Sequence, residues 1–515
     1  MFAKIFKSRA YQILCTVLFG LVLIGLPLTS FPPLRRVAGS LVAPFSAIPL
    51  ACIMLIWLVP YLLKHGKLPA EIVPILYFAV FALLISAASF FLDGFYIRGR
   101  DFFDQTLRAL ITLAIGLSFY ITLTAYIRSR TILNQTLLLL YITGAILILW
   151  SIFEIFLMQK YGTVGGFPEW VQRLKAALVF QQPGLQYTNR ITAFAYEPSW
   201  YVLVFDLILF PIWLSAVFQR KSLLKWKLWI FQIEDLLLIV GLGVYVFSYP
   251  RIGLIALVVM LAYLGIRWVR RLYQKIFIWL TNRPKRPLKG TFLLKALLVL
   301  ALIVFFAIIV VGALAVFILY ASRQDARFQL IIDQVTTGQL FDISLSETSI
   351  ILLARRLAFY ERTIFWFGGW NIFADYPFGV GLGNAGFYLV DRMNSLGYGS
   401  VEIRNILYQS TSLMNTKSLW VRLLSETGIV GFSLYITWFF MLWRSAGLIQ
   451  KSQDKLMQIL GLAGKLLLLA SFVDGFSVDS FAIPYQWVGA SLISAGRLIA
   501  QNEATENTPL RTSID

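Results

Sequence analysis

The chain is poor in the residues that most often carry chemistry unaided. Its 515 residues include one histidine, His65, and two cysteines, Cys15 and Cys52. A lone histidine rules out histidine-rich metal sites and leaves a Ser-His-Asp relay dependent on that one side chain. Both cysteines lie inside apolar runs, where they act as small hydrophobes, so neither a disulfide framework nor a metal site follows. Charge is also scarce: 14% of residues are charged, against 59% apolar. That is far more apolar surface than one soluble core can bury, so the solvent is largely lipid.

The apolar residues come in long runs, such as Ala10 to Leu28, Leu41 to Leu63, Phe292 to Tyr320 and Thr427 to Trp443. Many approach the roughly 20 residues with which a helix crosses about 30 Å of hydrocarbon. Membrane barrels use alternating runs of about ten residues instead, so the expected fold is an all-α polytopic membrane bundle. Twelve helices are expected, beginning near residues 10, 40, 73, 106, 136, 199, 236, 251, 292, 420, 457 and 485. The formal charge of +20 is spread between the apolar segments rather than gathered on one domain, which argues against nucleic acid as a partner. The basic start (Lys4, Lys7, Arg9) with its long apolar stretch reads as an uncleaved anchor rather than a signal peptide.

Charge sets the expected orientation. With a cytoplasmic N-terminus, the connections carrying Lys64/Lys67, Arg128/Arg130, Arg220/Lys221/Lys225/Lys227 and the run from Arg267 to Lys289 all fall inside. The last is the densest basic cluster: Arg267, Arg270, Arg271, Lys275, Arg283, Lys285, Arg286 and Lys289. Outside lie Gln159 to Pro198, the break at Tyr249 to Arg251, and the stretch from Ser322 to Lys417; a loop with Arg35 and Arg36 goes against the rule. The expected organisation is transmembrane helices 1–9 over residues 1–320 with an outer loop at 159–198, a large extracytoplasmic loop at 321–417, helices 10–12 over 418–499 and a cytoplasmic tail at 500–515. A connection of nearly a hundred residues is usually functional. Within it, Ser346 to Phe373 is apolar with embedded charges, and a helix lying in the membrane interface is expected, with Arg355 and Arg362 on one face two turns apart, about 10 Å.

This topology puts His65 inside and leaves arginine, carboxylate, amide and tyrosine chemistry on the outer face, a set suited to anionic phosphates and sugar hydroxyls. Arg190 leads a segment ending in Glu197-Pro198-Ser199 at a helix start. There Pro198 suits the first turn and the helix dipole favours Glu197 as an anion, although simple capping and snorkelling explain the same pattern. Arg251, in Ser248-Tyr249-Pro250-Arg251-Ile252-Gly253, lies near membrane depth, where an arginine is costly unless it meets anions or a polar cavity. The Gly-rich stretch Tyr376 to Asn384 lacks a basic P-loop residue and reads better as a tight turn with close backbone packing. Gly428 and Gly431 are expected to allow close helix contact.

In this order, these motifs resemble the O-antigen polymerase and O-antigen ligase superfamily. The matching elements are Arg190 with Glu197-Pro198-Ser199, Ser248 through Arg251 to Gly253, Arg362 fifteen residues before Pro377-Phe378-Gly379-Val380-Gly381, and Ser425-Glu426-Thr427-Gly428-Ile429-Val430-Gly431. They span roughly residues 185 to 435. The resemblance implies a GT-C-like fold and a metal-independent, inverting glycosyl transfer without cofactors, from a glycan on undecaprenyl diphosphate at the outer face of a bacterial cytoplasmic membrane. It implies Arg190, Arg251 and Arg362 as the diphosphate clamp and Glu197 as the base, with Glu361 second. Arg355, Arg356, Glu361, Tyr376, Asn384 and Lys417 are the expected substrate-binding residues. Its implied partners are undecaprenyl-diphosphate-linked oligosaccharides, membrane lipids, a chain-length regulator and a flippase. Ligases carry a histidine in the large outer loop, where this chain offers Asn415, Thr416, Lys417 and Ser418; the resemblance therefore favours a polymerase of O-antigen or exopolysaccharide. The rival of another class is a lipid-linked glycan transporter, which shares the plan of twelve helices with both ends inside.

Overall fold

The computed structural model describes residues 8–38, 41–64, 66–93, 96–97, 99–181, 190–223, 227–229, 231–281, 291–337, 347–356, 359–410 and 413–506. His65, Lys225, Arg283, Lys285, Arg286, Lys289, Ser346 and part of the expected 159–198 loop lie outside these residues, as does the end of the tail. Among the described residues the protein is almost entirely helical. Its strands are two short antiparallel pairs, Tyr96–Ile97 with Arg100–Asp101 and Lys227–Leu228 with Phe231–Gln232. It is an all-α polytopic membrane protein; the described residues include eight helices long and apolar enough to cross a bilayer and two shorter apolar ones.

In chain order the helices are α1 (Arg9–Ile24), α2 (Pro32–Ala38), α3 (Ala47–Leu63), α4 (Ile72–Asp93), α5 (Phe102–Tyr126), α6 (Arg130–Tyr161), α7 (Glu169–Leu178), α8 (Pro198–Gln219), α9 (Ile233–Val246), α10 (Arg251–Thr281), α11 (Thr291–Ser322), α12 (Ala326–Thr336), α13 (Glu347–Arg356), α14 (Tyr360–Asp375), α15 (Ala385–Leu396), α16 (Val401–Tyr408), α17 (Leu419–Gln450), α18 (Lys455–Asp474) and α19 (Pro484–Glu506). Helices correspond to the twelve expected starts, the second beginning at Ala47 rather than near residue 40. Four of those fall short of a full apolar span by length or composition: α1, α3, α9 and α19. With 14 residues, α9 reaches only about 21 Å at 1.5 Å per residue. α19 is long enough but carries buried polar residues; its Ser494 hydroxyl pairs with Tyr120 at 2.8 Å.

The expected single interfacial helix is two helices. α13 ends at Arg356 and α14 starts at Tyr360 behind Phe359, whose backbone is not helical (φ −110°, ψ 8°). Arg355 and Arg362 therefore do not share a continuous helix face.

Polar residues set the helix starts. Asp101, Ser129, Ser418 and Asp454 each cap a helix by accepting the backbone N–H three residues on. Proline disturbs two helices. α3 carries a π turn at Met54–Leu58 next to Pro60, and α8 another at Phe205–Leu209 before Pro211. Pro60 has no N–H to offer the Ile56 carbonyl four residues back, and the Tyr11 hydroxyl of α1 donates to that carbonyl at 2.9 Å.

The chain divides into two units, residues 1–250 with 359–515, and residues 251–358. The second holds α10 to α13, with α10 against α11 and α11 against α12. In the first, α17 packs on α4, α18 and α19, while α5 packs on α19 and α8 on α18. An aromatic cluster of Tyr120, Tyr435, Trp438 and Trp487 fills the centre, with ring centroids 5.3 to 5.4 Å apart along it. Gly116 lets α5 approach this cluster, because a β-carbon there falls 2.3 Å from Trp487 Nε1 and 2.6 Å from the Phe481 carbonyl. Gly116→Ala is expected to destabilise the unit by about 1–3 kcal/mol, read as a lower thermal midpoint of the purified protein.

The helices of this unit sort into two ends. At one end Arg130 bonds Asp454 (2.8 Å) and Glu503, Lys221 bonds Gln458, and Arg128 bonds the Lys67 carbonyl at 3.1 Å. The opposite ends of α5, α8, α17, α18 and α19 surround a cavity.

Candidate functional site

The cavity measures about 480 Å³. Its polar lining has five cations, Arg100, Arg108, Arg362, Lys417 and Arg422, and three carboxylates, Glu197, Glu426 and Asp479, with Gln105, Thr112, Ser199, Asn415, Ser477 and Ser480 between them. Leu41, Val42, Leu413, Met414 and Ile483 supply an apolar wall. A volume of this order suits a small ligand held by a few convergent polar groups.

Each arginine is held by its neighbours. Arg362, on the first turn of α14, donates from Nη1 to the Ser477 carbonyl at 3.0 Å and to Ser477 Oγ at 2.5 Å. Arg422, one turn into α17, donates from Nε to Glu426 at 2.8 Å and from Nη1 to the Asp479 carbonyl at 2.5 Å. The 475–480 connection thus anchors two guanidiniums through its backbone. Arg100 and Arg108 share Asp104, at 3.2 and 2.9 Å, one turn to either side of it. Lys417 adopts a left-handed backbone (φ 54°) uncommon for a side-chain-bearing residue. Four arginines are engaged in fixed geometry before any ligand arrives, which is what preorganised anion binding requires.

Glu197 is the N-cap residue of α8 by backbone, with Pro198 at N1, yet its side chain does not cap. It accepts the Ser199 hydroxyl at 3.0 Å and lines the cavity. Glu426 is taken by Arg422, whereas Glu197 forms no ion pair among the described residues. Beside it, burial pushes the Tyr196 phenol up and the Glu197 carboxylate adds to the shift.

The segment carrying Glu197 is pinned from below. Glu154 of α6, almost fully buried, accepts Lys175 Nζ at 2.8 Å and the Thr192 N–H at 3.2 Å, and Lys175 also reaches Thr192 Oγ1 at 3.1 Å. Removing one partner of a buried pair leaves an uncompensated charge costing about 3–5 kcal/mol. Lys175→Met is accordingly expected to lower the thermal midpoint far more than Arg173→Met, whose partner Glu169 is exposed.

The Gly-rich stretch is a packing device, as its lack of a basic residue suggests. α17 breaks at Gly428 (φ 59°, ψ −166°). Into the break fit the Val380 and Gly381 amides, bonded to the Ser425 and Glu426 carbonyls at 3.0 and 2.9 Å, while Ile429 N–H bonds the Pro377 carbonyl. A β-carbon on Gly379 falls 2.5 Å from the Glu426 carbonyl oxygen, and one on Gly428 falls 2.3 Å from the Pro377 oxygen. On the other side Leu382 N–H reaches Ser86 of α4 at 2.8 Å, and Asn384 bonds Thr106 of α5 at 2.9 Å. The turn clamps α4, α5 and α17 together and so sets Arg108 and Glu426 around one space.

Of the residues singled out from sequence, the fold brings Glu197, Arg362 and Lys417 to the cavity. Arg190 is not in its lining; its Nε donates to the Ser248 carbonyl at 3.0 Å. Asn384 is buried in the clamp, Glu361 accepts Ser400 Oγ at 3.3 Å, and Tyr376 packs edge-on against Tyr388. Arg251 opens α10, and Arg355 and Arg356 close α13, all in the second unit. Arg100, Arg108, Arg422 and Asp479 were missed. The available signals were the Arg-Asp-Arg spacing of four around Asp104 and the position of Arg422 four residues before Glu426.

Comparison with known proteins bears on this arrangement. Residues 236–436 match the O-antigen ligase family model. The match supports the O-antigen ligase/polymerase superfamily and, in general, glycan transfer on lipid-linked substrates in a membrane. It covers α9 to the first half of α17, and so Arg362, Lys417, Arg422 and Glu426, but not Arg100, Arg108, Glu197 or Asp479. Among curated proteins none matches the chain.

Proposed function

We propose that the protein is a polysaccharide polymerase, transferring a growing glycan from undecaprenyl diphosphate to a hydroxyl of an acceptor lipid-linked repeat unit at the outer face of the cytoplasmic membrane. The observation that carries this reading is the single cavity in which Arg362, Lys417 and Arg422 face Glu197, with Arg100 and Arg108 beside them. The arginines and Lys417 take the diphosphate. The acceptor hydroxyl attacks the anomeric carbon from the face opposite the diphosphate, and its proton passes to Glu197. The glycosidic C–O bond breaks, and its electron pair leaves on the diphosphate oxygen, where the guanidiniums stabilise the developing charge. Configuration inverts, and no metal is required by this scheme. Arg190, Arg251, Arg355 and Arg356 take no part in this scheme.

The sorting of helix ends supports the orientation. The cavity lies at the end opposite Arg128, Arg130 and Lys221, and the positive-inside rule assigns that basic end to the cytoplasm. A second reading, ligase transfer to another acceptor, draws on the description of the matched family. Against it stands the large outer loop, which offers Asn415, Thr416, Lys417 and Ser418 where ligases of the resembling type carry a histidine.

The deciding assay uses purified protein in nanodiscs with undecaprenyl-diphosphate repeats. The expected product is a ladder of chain lengths on the lipid. A single transfer onto a different acceptor contradicts polymerase in favour of ligase, and transport across vesicles without bond formation contradicts both.

A further inference from the structure

Beneath the 475–480 connection lies a second, much smaller cavity of about 30 Å³, with Ser471, Asp474, Gly475, Ser480 and Gln486 in its lining. Space of this measure holds about two waters, or one small ion with a water. Asp474, the last residue of α18, is 2% exposed, and both its carboxylate oxygens lack a hydrogen-bond partner. One turn earlier the Ser471 hydroxyl, 3% exposed, also lacks one. Among the described residues no lysine or arginine bonds Asp474. Negative charge accumulates further: the carbonyl end of the α18 dipole points here, and Asp206, held by the Tyr245 hydroxyl at 3.0 Å, is close enough to interact electrostatically with Asp474.

An isolated carboxylate so buried is strongly disfavoured until something neutralises it. A single proton could neutralise Asp474 but bridges it to one acceptor only. A cation meets the unpartnered oxygens together. The donors are all hard oxygens, and one carboxylate with neutral hydroxyls balances a single charge, short of the oxygen set a calcium ion demands.

We propose that Asp474 and Ser471, with Ser480 and Gln486, form a binding site for one monovalent alkali cation of sodium's size. The ion sits under the turn whose Ser477 and Val478 amides bond the Asp474 carbonyl at 2.8 and 3.0 Å, and whose Gly475 carbonyl accepts the Leu419 N–H at 2.7 Å. That turn presents the Ser477 and Asp479 oxygens to Arg362 and Arg422. The bound cation stiffens the anchor of both guanidiniums and takes no part in bond making.

The site is tested on the full-length protein in nanodiscs by equilibrium binding of radioactive sodium at constant ionic strength, with choline replacing sodium. Saturable binding of one ion per chain is expected, at least about tenfold weaker in Asp474→Asn, weaker in Ser471→Ala and unchanged in Asp333→Asn, an exposed residue of the other unit. Absence of saturable binding to the wild type, or equal affinity in wild type and Asp474→Asn, overturns the site. Should Asp474→Asn fail to fold, Ser471→Ala decides: weaker binding supports the site and equal binding overturns it. Because binding is read without any glycan substrate, failure here is distinct from failure of the polymerase reading.

Discussion

Glu197→Gln is expected to leave the protein folded and to slow glycan transfer by about 10²- to 10⁴-fold, the usual contribution of a positioned general base. The amide keeps the size of the side chain and still accepts the Ser199 hydroxyl, but it cannot take a proton. Substrate affinity should change little, so the loss falls on the maximal rate in single-turnover measurements with the lipid-linked donor. Glu426→Gln should behave differently. Its carboxylate neutralises Arg422 rather than standing free, so the substitution loosens a buried pair and lowers the thermal midpoint as well as the rate. A normal rate in Glu197→Gln removes the residue from the reaction.

Gly428→Ala carries an expected effect of comparable size for a different reason. The glycine occupies a backbone region essentially closed to other residues, which by itself costs about 1–3 kcal/mol. The added methyl also meets backbone atoms of Pro377 and Phe378, not flexible side-chain ends. The Gly-rich turn must therefore withdraw from the break in α17, shifting Glu426 and Arg422 on one side and the Asn384–Thr106 contact on the other. Misplacement of about 1 Å at such a site costs on the order of 100-fold in rate. Retained activity in Gly428→Ala would contradict the role of the turn as the clamp that sets the cavity.

Both predictions rest on parts of the molecule that differ in how far the sequence displays them. Hydrophobic runs reveal the helices because lipid imposes one rule on every span. The Glu197-Pro198-Ser199 and Gly379 to Gly431 patterns were visible because helix starts and tight backbone contacts demand particular residue types. What stayed hidden was convergence. Arg100 and Arg108 lie some 250 residues before Arg362, and each alone looks like a lysine or arginine reaching for headgroups. Only the α5–α19 packing across Gly116, with the clamp at Asn384, brings them to Glu197. Arg190 lies outside the cavity lining, and nothing in its neighbourhood reveals that its Nε donates to the Ser248 carbonyl. The interfacial helix was overextended because an apolar run with charges gives no sign of the break before Tyr360.

The most direct measurement is a cryo-electron-microscopy structure of the protein in nanodiscs saturated with undecaprenyl diphosphate. The account predicts diphosphate density inside the cavity, within hydrogen-bonding distance of Arg362 and of at least one of Lys417 and Arg422, and its loss in Arg362→Ala. Diphosphate density resting instead on Arg251 or Arg355, with the Glu197 cavity empty, would contradict it.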